Sequence, residues 1–555
     1  MSEHPPIFDP TLMESIYPDT CPDTFSACLN SRGVYESQRF ALRLSPIVHE
    51  LVESAVEKSA AGIAATNEEL HAYAVYLHET VHWWQHKGST SGFMRSVLYP
   101  VQTHSNMERL HEILQAVGPL KSIKNFALNG ELGKNSCRAE ISMAANEVTN
   151  NFMDTEFYLA LTLNPKLVED IYIDPYFESA GHSFLLTYAQ VLGAIGEMID
   201  PEYKFLPHPE LLAEKLIDLD SRRVQGYYFG TPITRPPVGV FDLYEGQARF
   251  IQLQFLARSN LLITIDDAKN SGMLHGVYGK AFEQFLRITK SPVPDAIIDP
   301  TVALFLFVCD MSINPTTGFP SAIKSYESFY LNADPGLRFA YLCEAIAGNS
   351  ELLTLVKNYS ADEYRQLAKK LGLLSGLGNH LDDLTDFRHH LAENTFAQAT
   401  SSEHKSFKFT ERNIVLKLLT GEFISYINDR TDNPEFFCWA GYWLVGTNND
   451  KARQLWLSHL SLFSDKADDD ALFPRMHPER NEADVMHTFN QFFASMLLYD
   501  LSKQWVLQPG PFKLDYAWLT SKYDSPDFLD QLNGVFKKHY GFDLTDFKAL
   551  DPSSN

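Results

Sequence analysis

The chain has 555 residues, 45% of them hydrophobic, and carries 46 Lys and Arg against 70 Asp and Glu, a formal charge of −24. A chain of that size and hydrophobic content can bury a large core and is not an intrinsically disordered protein. The acidic excess argues against a nucleic-acid partner or an anionic membrane surface, and no apolar run reaches the roughly 18 residues of a membrane span.

Taken in order, the start MSEHPPIFDP has neither a basic segment nor an apolar one, so no signal peptide is expected. Cys21, Cys28, Cys137, Cys309, Cys343 and Cys438 are scattered without a Cys-x-x-Cys pair, as in a reduced cytoplasm. A soluble cytoplasmic protein is the expectation. Residues 1 to about 45 look irregular, apart from a hairpin near Gly33 to Ser45, where Phe40, Leu42 and Leu44 alternate with polar neighbours. Ile47 to Ala61 reads as a first helix.

The stretch from Thr66 to Phe93 carries His78-Glu79-Thr80-Val81-His82, the pattern His-Glu-x-x-His. On a helix, residues four apart share a face, so both imidazoles can reach one metal ion while Glu79 flanks them. Thr66 or Asn67 caps the start, Glu68 and Glu69 suit the positive end of the dipole, and Lys87-Gly88 closes the helix. His71, His78, His82, Gln85 and His86 form a polar stripe on an otherwise apolar helix. Burying those rings without partners costs several kcal/mol, so the stripe calls for ligands or hydrogen bonds. The tract Ser89 to Gly92 reads as a turn or as the border of a cleft.

Val101 to Val117 and Ser136 to Leu163 read as further helices. The second carries Glu140, Glu147, Asn151 and Asp154 at helical spacing, and Glu147, Asn151 and Asp154 are candidates for orienting metal-bound imidazoles. Proline-rich connections flank Tyr227 and Tyr228, whose phenols are candidates for holding an oxyanion. A helix follows Phe241-Asp-Leu-Tyr-Glu-Gly-Gln-Ala-Arg-Phe250, and Ser291 to Pro300 marks a candidate boundary. The division expected is 1–295, a metal-binding catalytic region, and 296–555, a helical region, with one integrated body as the alternative. Within the latter, Tyr341 to Tyr359, Ala361 to Leu374, Asn413 to Ile427 and Glu482 to Leu501 read as helices, and Phe463 to Glu482 as an exposed acidic loop. The fold class is mainly α.

A catalytic zinc takes three protein ligands and leaves a position for water, so His78 and His82 need a third. Followed by Glu245-Gly246-x-Ala248, the His-Glu-x-x-His pattern resembles the zincin metallopeptidases of gluzincin type. That resemblance implies a multi-helix zincin-like fold, Zn2+ on His78, His82 and Glu245, Glu79 as general base, and a peptide or protein substrate. It also implies that Glu245 opens its helix, with small neighbours that let it approach the motif helix. Two features depart from the thermolysin-like group: 162 residues separate His82 from Glu245, and Arg249 stands where that group places Asp. Asp242-x-x-Glu245 also fits a capping box, and Glu147 is a rival third ligand. Two other classes remain open. One is a carboxylate-bridged di-iron protein, since Glu68-x-x-His71, Glu79-x-x-His82 and Glu108-x-x-His111 all fit Glu-x-x-His. The other is a non-enzymatic helical interaction protein with a structural or vestigial zinc.

Overall fold

A computed structural model describes residues 32–128, 136–410, 412–445, 450–477 and 479–550. Cys21, Cys28 and the irregular character of residues 1–31 lie outside the described residues. The structure is mainly α, with 66% helix and 5% strand.

The expected hairpin forms. Strands β1 (Gly33–Glu36) and β2 (Ala41–Leu44) pair antiparallel, Gly33 opposite Leu44. Their alternation does not leave one face wet, because Arg43 is buried and its Nε donates to Glu36 Oε1 at 2.7 Å. Helix α1 (Pro46–Ala60) leads into α2 (Asn67–Gly88), the motif helix. Thr66 and Glu69 cap α2 reciprocally, Thr66 Oγ1 accepting from Glu69 N and Glu69 Oε2 from Thr66 N. Ser89 then ends α2 and caps α3 (Thr90–Val117) in one step, so the Gly-Ser tract is the first turn of a helix and not a loop. Gly92 fits there because a Cβ would meet the Gln85 carbonyl oxygen at 1.9 Å.

Helix α4 (Ser136–Leu163) packs on α3 and on α5 (Ala180–Ile199). Helix α6 (Val240–Arg258) crosses α2 and also meets α7 (Val277–Thr289) and α8 (Pro300–Ser312). Helix α9 (Ile414–Asp432) packs on both α2 and α3. One hydrophobic core runs from Tyr35 to Tyr540 through both expected regions. The helix read over Tyr341 to Tyr359 is shorter, Pro335–Ala347 followed by a 3-10 turn at Ser350–Thr354.

The first part of the stretch expected as an exposed loop, Phe463 to Pro474, is ordered instead. It folds as β3 (Phe463–Lys466) and β4 (Asp469–Pro474), giving one sheet in the order β1-β2-β3-β4 with β2 and β3 parallel. Phe463 and Leu472 are buried, while Asp465 accepts from Leu44 N and His49 Nε2 at 3.2 and 2.7 Å. The acidic run is the hairpin tip; the pairing that orders it comes from a strand some 420 residues earlier. Helix α10 (Glu482–Leu507) follows and packs on α3 and α4. Among the described residues, no helix is long and apolar enough to cross a membrane.

Candidate metal centre

One turn of α2 places the rings of His78 and His82 side by side, with Nε2 atoms 3.1 Å apart. Glu245, from α6, brings Oε2 to 3.3 Å from His78 Nε2 and 3.5 Å from His82 Nε2. Among the described residues this is the group of three or more His, Cys, Asp or Glu side chains whose ligand atoms converge. A four-coordinate ion with bonds of about 2.0–2.1 Å requires ligand atoms about 3.3 Å apart. The triangle with edges of 3.1, 3.3 and 3.5 Å fits that requirement and leaves a fourth position for a non-protein ligand. Glu245 Oε2 is buried, with the two imidazole nitrogens as its neighbours.

In the metal-free state the charges in this group are strongly coupled. Burial pushes His78 down to about 3, against an upward pull from the Glu245 hydrogen bond, and the charge of Arg249 lowers it further. Burial acts downward on His82 as well, yet the charge and hydrogen bond of Glu245, the charge of Glu79 and the Gln85 hydrogen bond carry it up to about 9. Burial works upward on Glu245, but the charge of His82 and hydrogen bonds from both rings hold it well below the usual carboxylate range. One proton therefore sits on the pair of rings near neutrality. A metal ion must displace it, because both nitrogens then act as lone-pair donors.

Helix α6 does more than supply a carboxylate. His82 Nδ1–H donates to Gln85 Oε1 at 2.8 Å, which leaves Nε2 as the atom that could ligate an ion. The same amide donates through Nε2 to the Tyr244 carbonyl at 3.0 Å and to Gln247 Oε1 at 2.9 Å. Gln85 thus holds the ring and ties together the two helices that carry His78, His82 and Glu245. His86 is buried and held neutral, first by burial and then by the charges of Arg95 and His82, and it packs edge-on to Tyr244.

Glu245 is not at the helix entrance. The helix starts at Val240, and Asp242, not Glu245, completes the cap by accepting from Gly239 N at 3.0 Å. Glu245 sits in the second turn. Nor does Gly246 serve the approach of α6 to α2: a Cβ there would meet Ala281 and Phe305, on α7 and α8.

The candidates on α4 are engaged elsewhere. Glu147 is exposed, 3.5 Å from Arg109. Asn151 donates to Asn106 Oδ1 at 2.8 Å, and Asp154 accepts from Ser183 Oγ at 2.7 Å beside His182. None orients His78 or His82: the Nδ1 of His78 is without a partner and that of His82 is held by Gln85. Tyr227 donates to the Tyr326 carbonyl at 2.6 Å, and Tyr228 lies under Arg223. The tyrosine beside the group is Tyr278, whose ring lies edge-on to His78 with centroids 5.9 Å apart. Burial and then the charge of Glu245 raise Tyr278 to about 12, with Glu79 contributing, so it stays a protonated donor. Arg249 stacks on this ring, its Cζ 3.9 Å from the centroid.

Glu79 is buried beside the rings and packs against Gly33 on β1, where a Cβ would lie 2.9 Å from Glu79 Cγ. The other Glu-x-x-His pairs are not assembled here: Glu68 and Glu108 are exposed, and His111 bonds to the carbonyls of Met107 and His539. A surface cavity of about 360 Å3 lined by Phe205, His390 and Thr395 shares no residue with this centre. No protein-family model, no curated protein and no solved structure matches the chain.

Proposed function

We propose that this chain is a zinc-dependent hydrolase that cleaves peptide bonds, with His78, His82 and Glu245 holding the ion and Glu79 as general base. The observation that carries the reading is the ligand triangle, whose edges match a tetrahedral ion and whose three donors leave one position open. A structural zinc is closed by four protein ligands, and a di-iron site needs several bridging carboxylates, so the donor set favours neither.

A zinc ion bound there supplies Lewis acidity toward water and a carbonyl. The chain's own groups do the rest. Glu79 flanks the two rings without completing the triangle, which is where a proton acceptor for the attacking water belongs, and it then hands that proton to the leaving amine. Tyr278, kept protonated, is the donor for the developing oxyanion in place of Tyr227 or Tyr228. Gln85 keeps His82 in the tautomer that ligates. A peptide substrate is favoured by β1, which among the described residues is a terminal strand of the sheet and begins beside Glu79 at Gly33. An extended peptide can add to such an edge through main-chain hydrogen bonds.

Metal analysis of purified protein, followed by screening of a peptide library with wild type and Glu79→Gln, tests the reading. About one zinc per chain in both, with hydrolysis lost by orders of magnitude in Glu79→Gln, is expected. A Glu79→Gln protein that cleaves at the wild-type rate sinks the assignment of the base, and zinc retained at full strength by His82→Ala sinks the site.

A further inference from the structure

Among the described residues, Arg249 is a cation without a counter-ion, in a chain whose formal charge is −24. It lies four residues after Glu245 on α6, so both side chains leave the same helix face about 6 Å apart along the axis. Its guanidinium lies 3.9 Å above Tyr278, which in turn stands edge-on to His78. Nη1 donates to Gln252 Oε1, the phenol of Tyr278 is its other polar neighbour, and Nε is buried with no partner. Among the described residues no carboxylate comes within ion-pair distance of it. Of the buried arginines, Arg43 and Arg430 are matched to Glu36 and Asp310, while Arg338 donates to the carbonyls of Ser312 and Met311 and Arg95 to the Leu159 carbonyl and the Thr162 hydroxyl; neither of these two stands beside the centre as Arg249 does.

Charge balance sharpens the point. A divalent ion is neutralised by Glu245 and Glu79 together, which leaves the charge of Arg249, half-buried against Tyr278, unmatched. A planar guanidinium fork whose Nε lacks a partner is suited to a carboxylate, which such a fork binds through two parallel hydrogen bonds.

We propose that Arg249 is the receptor for a carboxylate on the substrate, placed one or two residues from the bond that is cut. The spacing follows from the axial offset between Glu245 and Arg249, since an extended peptide advances about 3.3–3.6 Å per residue. The proposal rests on the metal-centre reading above and adds the substrate class to it. The carboxylate has two sources, a peptide C-terminus or an Asp or Glu side chain, and Arg249 binds either through the same chemistry.

The probes are succinic acid monohydroxamate, which has a metal-binding head and a free carboxylate, and its methyl ester, which lacks the charge. Both are titrated calorimetrically into zinc-loaded protein. Wild type binds the acid about 10–100-fold more tightly than the ester, the range for a hydrogen bond to a charged group. Arg249→Gln removes that preference while leaving zinc content and ester affinity unchanged, and Arg249→Lys retains part of it. Equal affinity of wild type for acid and ester overturns the proposal without needing any variant. So does a preference that survives in Arg249→Gln. Failure of both compounds to bind zinc-loaded protein is a different result, which removes the metal-centre reading and this inference with it. Peptide pairs ending in acid or amide, and pairs with internal Glu or Gln, then identify the source: discrimination confined to the first pair assigns the C-terminus, to the second a side chain, and in neither overturns the proposal.

Discussion

Gln85 is the residue on which the geometry of the centre depends most without itself supplying a ligand atom. Replacing it with Leu keeps the volume nearly constant but removes three hydrogen bonds, to His82 Nδ1 at 2.8 Å, the Tyr244 carbonyl at 3.0 Å and Gln247 Oε1 at 2.9 Å. All three partners are buried. Losing the bond that orients a metal-binding imidazole lowers metal affinity about 10–100-fold, or about 1.4–2.7 kcal/mol. Stranding buried acceptors costs about 1–3 kcal/mol each before relaxation, so stability falls by about 2–4 kcal/mol in the metal-free protein. Gln85→Glu separates the two effects. It keeps an acceptor for His82 Nδ1–H but turns an oxygen toward the Tyr244 carbonyl and Gln247 Oε1, so zinc affinity holds while stability drops. Competition against a chromophoric chelator reads the affinity, and urea denaturation of the metal-free variants reads the stability. Gln85→Leu protein that holds zinc within about twofold of wild type would refute the argument that this amide orients His82.

Further measurements bear on the other residues. Glu245→Ala should abolish zinc binding, whereas Glu147→Ala, at an exposed position paired with Arg109, should leave it within about twofold; comparable losses in both would return Glu147 to the centre. For the metal-free protein, the two rings act in opposite pH windows. His82, raised to about 9, contributes stability that is complete below its ordinary value near 6.5 and is lost as pH rises through 9. His78, lowered to about 3, contributes stability that is present above 6.5 and is lost as pH falls through 3. Thermal scans of metal-free wild type against His82→Ala should therefore diverge most near pH 6 and converge above pH 9; a constant difference across that range contradicts the ion pair. Gly33→Val places side-chain atoms where Glu79 Cγ and Val75 now lie within 2.9 and 3.0 Å of the Cβ position. It should cut hydrolysis at least about tenfold by displacing the base while zinc content stays at one per chain, and normal turnover would show that Glu79 does not need that space.

Short-range geometry made part of this centre readable from local sequence alone. Two histidines four apart must share a face of any helix that contains them, and Thr66 with Glu69 caps that helix using atoms three residues apart. Glu79 and the polar stripe that includes Gln85 were legible for the same reason. A glutamate in Glu-Gly-x-Ala could be singled out, although its place in the second turn and the outward role of Gly246 could not. The tertiary structure alone decided which of several polar faces meets α2. The stripe on α4 has the same helical period as a buried one, yet Glu147 faces solvent, because periodicity defines a face and only packing says what covers it. Tyr278 and Arg249 reach the centre because α6 and α7 pack together, and no local pattern distinguishes Tyr278 from Tyr227. The strands at Phe463 to Pro474 are the same case: an acidic hairpin is ordered by pairing with β2, across a sequence separation that no window of local sequence spans.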